Sequence, residues 1–131
     1  PGGHWASSCM AWTQVPREQT RRDTKWACEV KDRDGWRCQV TGAYYGPGSG
    51  RASRGLEAAH IFSCNNPYVR HDLDNGVSLS YRLHRFWAHR QPVEFAEWVK
   101  RWMGEERFEA LRRKAFQSGM RLGLDKIRQE A

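Results

Sequence analysis

The chain has 131 residues, enough for one domain with a modest core and too few for two ordinary domains. It carries 22 Lys and Arg against 15 Asp and Glu, a formal net charge of +7, and 17 of the 22 cationic residues are Arg. Because the guanidinium group binds phosphate through two hydrogen bonds, this excess favours a polyanionic partner. No run of about 18 apolar residues occurs, so the sequence predicts no membrane-spanning segment.

The four cysteines are irregularly spaced and include no C-x-x-C pair: Cys9, Cys28, Cys38 and Cys64. This spacing predicts free thiols in a reducing compartment rather than a zinc ribbon. Residues 1–4 also lack the apolar segment of a signal peptide. We therefore expect a cytoplasmic location.

The first 55 residues contain few regular patterns. Residues 1–24 are polar and broken by Gly and Pro, which predicts an N-terminal arm, loosely held or forming a short helix, before a domain at 25–131. From Trp26 to Val40, apolar and charged residues alternate around Asp34-Gly35, so a β-hairpin is predicted there. Five glycines and one proline in 42–55 indicate a flexible loop.

The middle of the chain predicts the order strand, loop, strand, helix. Residues 56–62 read as a short strand, and an irregular loop follows at 63–72. After the turn at Asp74-Asn75-Gly76, Val77 and Leu79 alternate with Ser78 and Ser80, as in a half-buried strand. Residues 81–88 continue as a helix. This order surrounds two histidines, His60 and His84, with the turn-prone Asn75 between them.

The last third predicts two packing helices, a helical tail at about 92–131. Pro92 is a favourable first helical residue, and the apolar residues after it recur at helical spacing. Gly104 ends that helix, and acidic residues at 105 and 106 suit the first turn of the next one. We expect no chemistry from these helices.

Four segments, taken in order, resemble the HNH endonuclease family and its ββα-metal fold: Cys38–Gly42, Glu57–Ile61, Asp72–Leu79 and His84–Trp87. The sequences starting at Pro92 and Gly104 are similar to the helical tail of small phage-type members. The resemblance implies an α+β fold, in which a ββα-metal core follows the predicted hairpin and precedes C-terminal helices. It also implies a bacterial or phage-infected host cell.

The resemblance implies a role for each of three residues. His60 matches the general base that takes a proton from the attacking water, a task suited to an imidazole that titrates near neutral pH. Asn75 matches the residue that braces the loop between the strands, and His84 matches a ligand of one divalent metal ion, Mg, Mn or Zn. No small-molecule cofactor is implied. Taken without the motif, His60 could instead be a core histidine bonded to a backbone carbonyl.

The sequence departs from the family pattern at two places. The residue before the base usually ligates the metal, but here it is Ala59, so Glu57, Asp74 and His89 are the candidates to complete the site. His89 lies five residues after His84, about 140° around an ideal helix, and fits only if the helix end is irregular.

The second departure concerns the two C-x-x-C pairs that hold a structural zinc in many relatives. Here Cys38 has no partner because Thr41 stands in its place, and Ser80 and Leu83 occupy the other pair. No structural zinc is expected.

These patterns predict a metal-dependent DNA endonuclease of low sequence specificity that nicks DNA or breaks both strands. Six arginines in the loops or near the second histidine are candidate phosphate contacts: Arg51, Arg54, Arg70, Arg82, Arg85 and Arg90. The alternative is a cleavage-deficient nucleic-acid-binding module of the same fold, which Ala59 favours. A protein-binding adaptor is a third interpretation, made less attractive by the basic charge.

Overall fold

The computed structural model describes residues 17–130, with side chains described for 17–117. Its main elements, in chain order, are α1 (Arg17–Arg33), β1 (Leu56–His60), β2 (Gly76–Ser80), α2 (α-helical at Tyr81–Leu83, then π-helical at His84–Ala88), α3 (Pro92–Met103) and α4 (Glu105–Glu130). The predicted α+β class is confirmed. So is the strand, strand, helix order around the two histidines.

The two strands form an antiparallel hairpin in which Leu56 pairs with Ser80 and His60 pairs with Gly76. Side chains alternate between the faces of a strand, so residues 56, 58 and 60 share one face with 76, 78 and 80. Helix α1 packs against this face: Trp26 stacks on His60. Residues 57 and 59 share the other face with 77 and 79, where α3 and α4 form the main core.

The hairpin predicted between Trp26 and Val40 is wrong, because α1 extends to Arg33 and only an isolated bridge between Arg37 and Tyr44 follows. The misread signal is Gly35, whose φ of 65° suits a tight hairpin turn and a helix end equally well. Here its N–H bonds to the Asp32 carbonyl, and the next N–H bonds back to Lys31, which terminates the helix.

Helix α1 begins inside the segment predicted as an N-terminal arm. Residues 17–24 are helical, one of the two forms considered for them, and the helix runs on without a break past the predicted boundary at 24. The rest of the predicted arm, residues 1–16, lies outside the described residues.

Strand β2 is not half-buried as predicted, since both of its faces are covered. Val77 and Leu79 are fully buried against α3 and α4, and Ser78 on the opposite face is also fully buried beneath α1. The serine N–H donates to Asp34 Oδ2 at 2.8 Å, so the end of α1 is tied to the centre of the hairpin.

Helices α3 and α4 start and stop where their sequence signals predict. Pro92 occupies the first turn of α3, and Gly104 ends it with φ 90°, a conformation that glycine adopts at little cost. Both helices bury their apolar sides in the core, through Phe95 and Val99 on α3 and Leu111 on α4. Within the described residues, no helix has the length and apolar character needed to cross a bilayer.

The contact between α1 and β2 depends on the absence of a side chain at Gly76. A Cβ there would lie 2.6 Å from Val30 Cγ2 and 2.7 Å from Trp26 Cζ2. We expect Gly76→Ala to lower the free energy of unfolding in urea by about 1–3 kcal/mol, because both side chains are buried and must shift. Gly55→Ala is the control: its Cβ meets only the half-buried ring of Tyr45, at 3.0 Å. Equal stabilities for the two variants would contradict this packing.

Cys38 lies buried at the place where relatives hold zinc. Burial raises the pKa of its thiol, but hydrogen bonds from the Thr41 hydroxyl and from the backbone of Thr41, Ser80 and Val40 outweigh this and lower the pKa below its ordinary value. The structure therefore brings together three of the four positions that the resemblance assigned to zinc ligands. Among the described residues, the free thiols are Cys28, Cys38 and Cys64.

Candidate active site

His60, the candidate general base, lies at the end of β1 under helix α1. Its imidazole is half-buried and stacks on the indole of Trp26, with ring centroids 4.0 Å apart and planes 9° from parallel. The ring nitrogen Nε2 lies 2.9 Å from the backbone oxygen of Arg70. A carbonyl oxygen only accepts hydrogen bonds, so Nε2 carries the proton and donates it. The second nitrogen, Nδ1, then keeps its lone pair in the neutral ring.

The environment also keeps this imidazole neutral. Burial lowers the pKa of His60 below the ordinary histidine value, and this effect outweighs the hydrogen bond to the Arg70 carbonyl, which raises it. The bond to a backbone carbonyl is the feature expected of a core histidine. It is equally what a base needs, because it fixes the tautomer with a free Nδ1.

Asn75 braces the loop between the strands from a fully buried position. Its Oδ1 accepts a hydrogen bond from the N–H of Phe62 at 2.7 Å, and its Nδ2 donates to the carbonyls of Phe62 and Val69, both at 3.0 Å. The side chain of Asn75 therefore holds the two ends of the loop from 62 to 69 together. The Arg70 carbonyl that contacts His60 follows directly.

Replacing Asn75 by alanine is expected to destabilise the protein by about 3 kcal/mol or more. The change leaves the Phe62 N–H and two carbonyls without partners in a site closed to water, and each such loss costs about 1–3 kcal/mol. Urea unfolding followed by tryptophan fluorescence measures the effect. Asn66→Ala on the same loop is the control, and it should lower the free energy of unfolding less, because the Asn66 amide is more exposed. A loss below about 1 kcal/mol for Asn75→Ala would contradict the bracing role.

His84 and Glu57 form the second cluster, on the opposite face of the hairpin. Nδ1–H of His84 donates to Glu57 Oε1 at 3.0 Å, which leaves Nε2 as the nitrogen with the lone pair. Arg85 contacts the other carboxylate oxygen at 3.4 Å. Burial raises the pKa of Glu57, but Arg85 and His84 outweigh it and keep the group ionised. Burial lowers the pKa of His84 despite its bond to Glu57.

Helix α2 is irregular at the position where His89 requires it. The turn from His84 to Ala88 is π-helical, and the N–H of His89 bonds to the carbonyl of His84, five residues back, at 3.2 Å. As a result, the two imidazoles meet edge to face with centroids 4.6 Å apart. A regular α-helix would turn them apart.

The chemistry of these side chains fits a divalent ion. An imidazole that donates one N–H to a carboxylate and offers its other nitrogen is the arrangement typical of metal-bound histidines. Glu57 thus orients His84, although it was predicted as a ligand itself. Ala59 is buried and offers no donor. Within the residues whose side chains are described, no group of three or more His, Cys, Asp and Glu converges, so water and substrate phosphate would complete the coordination.

Asp74, another predicted ligand, is not part of this cluster. Its Oδ1 accepts from Arg107 of α4 at 2.8 Å, and it lies in the 3₁₀ turn Leu73–Asn75 before β2. That turn adjoins the His60 end of the hairpin, whereas Glu57 pairs with Leu79 near the other end. In this structure, Asp74 joins this turn to α4 and lies apart from the His84 cluster.

The two histidine clusters are separate but neighbouring. Glu57 and His60 are three residues apart on β1, about 10 Å at strand spacing, and point to opposite faces. A substrate phosphate group that contacts both clusters would have to lie across the edge of the hairpin. The orientation of each imidazole is fixed by its own partner, the Arg70 carbonyl or the Glu57 carboxylate.

The six predicted phosphate contacts fall into three groups. Arg54 and Arg82 are exposed. Arg51, Arg85 and Arg90 are also exposed, and each stacks on an aromatic ring, Tyr45, Tyr81 and Phe86 respectively. Arg70 differs, because its guanidinium binds both carboxylate oxygens of Asp23 and the Cys64 carbonyl, all at 2.8 Å. In this structure, the guanidinium of Arg70 supports the loop.

Two residues beside His60 were missed at the level of sequence. Asp23 and Trp26 lie on α1, far from His60 in the chain. The available signal was the spacing of Asp23, Trp26, Val30 and Arg33, which place one continuous helical face against the hairpin.

Residues 38–91 match a family model described as HNH endonuclease. This segment contains β1, β2 and α2 with His60, Asn75 and His84, and it excludes α1. The predicted resemblance is therefore confirmed for residues 38–91, which include the ββα core. No curated protein and no solved structure matches the chain.

Proposed function

We propose that the protein is a metal-dependent DNA endonuclease with low sequence specificity. The observation that carries the proposal is the state of His60: a neutral imidazole whose Nε2–H is held by a carbonyl and whose Nδ1 is free to accept a proton. The match of residues 38–91 to HNH endonucleases supports phosphodiester hydrolysis as the reaction and a nucleic acid as the substrate.

In the proposed reaction, His60 Nδ1 takes a proton from water while the water oxygen forms a bond to phosphorus. The bond from phosphorus to the leaving sugar oxygen breaks, and that oxygen is then protonated by solvent. His84, oriented by Glu57 and flanked by His89, would hold a divalent ion. When bound, such an ion neutralises negative charge that develops on the phosphate and the leaving oxygen.

Helix α2 supplies the proposed contact surface for DNA. Arg82 and Arg85 are exposed on this helix, and the exposed Arg90 follows it by two residues. Arg85 stacks on Tyr81, and Arg90 stacks on Phe86. Arginines contact backbone phosphates irrespective of sequence, which agrees with low specificity. A phage or mobile-element origin is part of the proposal through the resemblance alone, and a cytoplasmic site of action follows from the free thiols that the cysteine spacing predicts.

Incubation with supercoiled plasmid tests the activity. The protein is mixed with the plasmid and Mg²⁺, Mn²⁺ or Zn²⁺, with and without chelator, and nicked and linear products are separated on a gel. Metal-dependent nicking is expected. Retardation of the plasmid without cutting under every metal would instead support the cleavage-deficient module, which the missing donor at Ala59 favours.

The pH dependence of cleavage should report the titration of His60. Protonation occupies the Nδ1 lone pair, so kcat/KM falls as the pH drops through the pKa of the free enzyme. Because burial lowers this pKa, the acid limb is expected below the ordinary histidine value of about 6.5. Initial rates between about pH 4.5 and pH 8, at constant ionic strength, measure it. An acid limb at or above the ordinary value would contradict the assignment.

A further inference from the structure

Helix α1 lies outside the segment that matches the HNH family, yet it supplies much of the environment of His60. Trp26 covers one face of the imidazole, and its Nε1–H donates to the carbonyl of Asp72 at 2.8 Å. Two contacts therefore hold the indole in place: the stack on His60 and the hydrogen bond to Asp72, at the start of the turn that contains Asn75. The stack holds the imidazole in its plane, and a half-turn about χ2 within that plane would lose the bond from Nε2 to the Arg70 carbonyl.

Asp23, one turn before Trp26, grips the loop that carries the hydrogen-bond acceptor of His60. Its two carboxylate oxygens receive Nε and Nη2 of Arg70, each at 2.8 Å, and Oδ1 also contacts Nε2 of His71 at 2.7 Å. A bidentate pair fixes the direction of the arginine as well as its distance. The backbone carbonyl of this same Arg70 holds Nε2 of His60.

We propose that Asp23 and Trp26 are positioning residues for the candidate base: through the Arg70 carbonyl and the indole stack, α1 holds His60 in the Nε2–H tautomer with Nδ1 turned to the substrate. The inference rests on the proposed function for its catalytic consequence, but the tautomer itself can be observed without any reaction. With this role, α1 contributes to the candidate active site, although the family match covers only 38–91.

The charges around His60 agree with this arrangement. Besides burial, which lowers the pKa of His60, Arg70 and His71 on the loop act to lower it and Asp23 on α1 acts to raise it. Asp23 balances the cation of Arg70, and its own pKa is lowered, first of all by the hydrogen bond from Arg70. Without the carboxylate, Arg70 has no bidentate partner and the loop loses its attachment to α1.

Nuclear magnetic resonance of the full chain tests the positioning directly. Long-range ¹H–¹⁵N spectra at neutral pH distinguish Nε2–H from Nδ1–H imidazoles, with His60 assigned by comparison with His60→Gln. The wild type is expected to show the Nε2–H form, and Asp23→Asn a mixture of both tautomers. Glu29→Gln is the matched control, because Glu29 is also paired with a cation on α1, but its carboxylate pairs with Lys25, at 3.8 Å, rather than with the loop.

Kinetics give the second measurement. Asp23→Asn is expected to lower kcat about 10–100-fold with little change in KM, since a small misplacement of a base costs rates of this order. Asp23→Glu, which keeps the carboxylate, should recover part of the loss. In a His60→Ala background, Asp23→Asn should cause no further loss of the residual rate, whereas a residue that only stabilises the fold would lower both rates alike.

The outcomes separate this inference from the proposed function. If the chain cuts no plasmid with any metal but Asp23→Asn still mixes the tautomers, the proposed function fails and the positioning role stands. An unchanged tautomer in folded Asp23→Asn overturns the positioning role, whatever the activity. If Asp23→Asn does not fold, Trp26→Leu is measured instead. An unchanged tautomer of His60 in folded Trp26→Leu also overturns the positioning role.

Discussion

Replacing His60 by alanine is expected to lower the rate of DNA cleavage by about 10²–10⁴-fold, the usual contribution of a positioned general base. The imidazole has one nitrogen bonded to the Arg70 carbonyl, and its contacts within residues 17–117, the Trp26 indole and the backbone of Arg70, include no side chain that could take over proton transfer. Initial rates of plasmid nicking at saturating metal and neutral pH measure the loss.

The loss of rate in His60→Ala must be separated from a loss of DNA binding. His60→Ala should bind DNA with near wild-type affinity, because the half-buried ring offers no charge to phosphate when neutral. Tyr68→Ala, which truncates an exposed neighbour on the same loop, is the control for nonspecific loop effects and should cut normally. A His60→Ala protein that cuts at more than about a tenth of the wild-type rate would remove His60 as the base.

Loss of His84 is expected to have the second large effect. His84→Ala should lower metal-dependent cleavage by about 10²–10³-fold at fixed metal concentration, since charge stabilisation by a bound ion is worth several kcal/mol. Nε2 of this imidazole carries the lone pair that can bind the ion, because Nδ1–H is bonded to Glu57. Cleavage by His84→Ala with an unchanged metal requirement would place the ion elsewhere.

Glu57→Gln separates an orienting carboxylate from a ligand. Because the carboxylate acts through His84, its loss should raise the metal concentration needed for half-maximal rate by about 10–100-fold, while excess metal restores the maximal rate. Glu97→Gln, which removes an exposed carboxylate paired with Lys100, is the matched control and should leave the metal dependence unchanged. A maximal rate that excess metal does not restore would make Glu57 a direct ligand.

The sequence predicted those parts of the fold that depend on near neighbours in the chain. Pro92 and Gly104 bound α3 as expected, because each imposes its own backbone angles wherever it stands. The alternation in 77–80 predicted the second strand, observed at Gly76–Ser80, and the short strand predicted at 56–62 is observed at Leu56–His60. The same local logic failed at Gly35, since a left-handed glycine ends a helix as readily as it turns a hairpin, and only the packing of Trp26 and Val30 on the strands favours the helix.

The candidate site divides in the same way. The sequence alone predicted His60, Asn75 and His84 as the candidate residues, through residue types at recognisable spacing and the HNH resemblance that they carry. It could not determine which nitrogen of each imidazole carries the proton. That depends on a carbonyl ten residues away for His60 and on a carboxylate 27 residues away for His84.

Tertiary structure decided the remaining roles, because they depend on which distant groups packing brings into contact. Glu57, predicted as a metal ligand, lies on Nδ1 of His84, where it is placed to orient that imidazole. Arg70, predicted as a phosphate contact, has its guanidinium bound by Asp23, 47 residues earlier. Local sequence determines the periodicity of helices and strands and the positions of turns. A hydrogen bond between distant segments forms only after hydrophobic burial of both hairpin faces has placed those segments side by side.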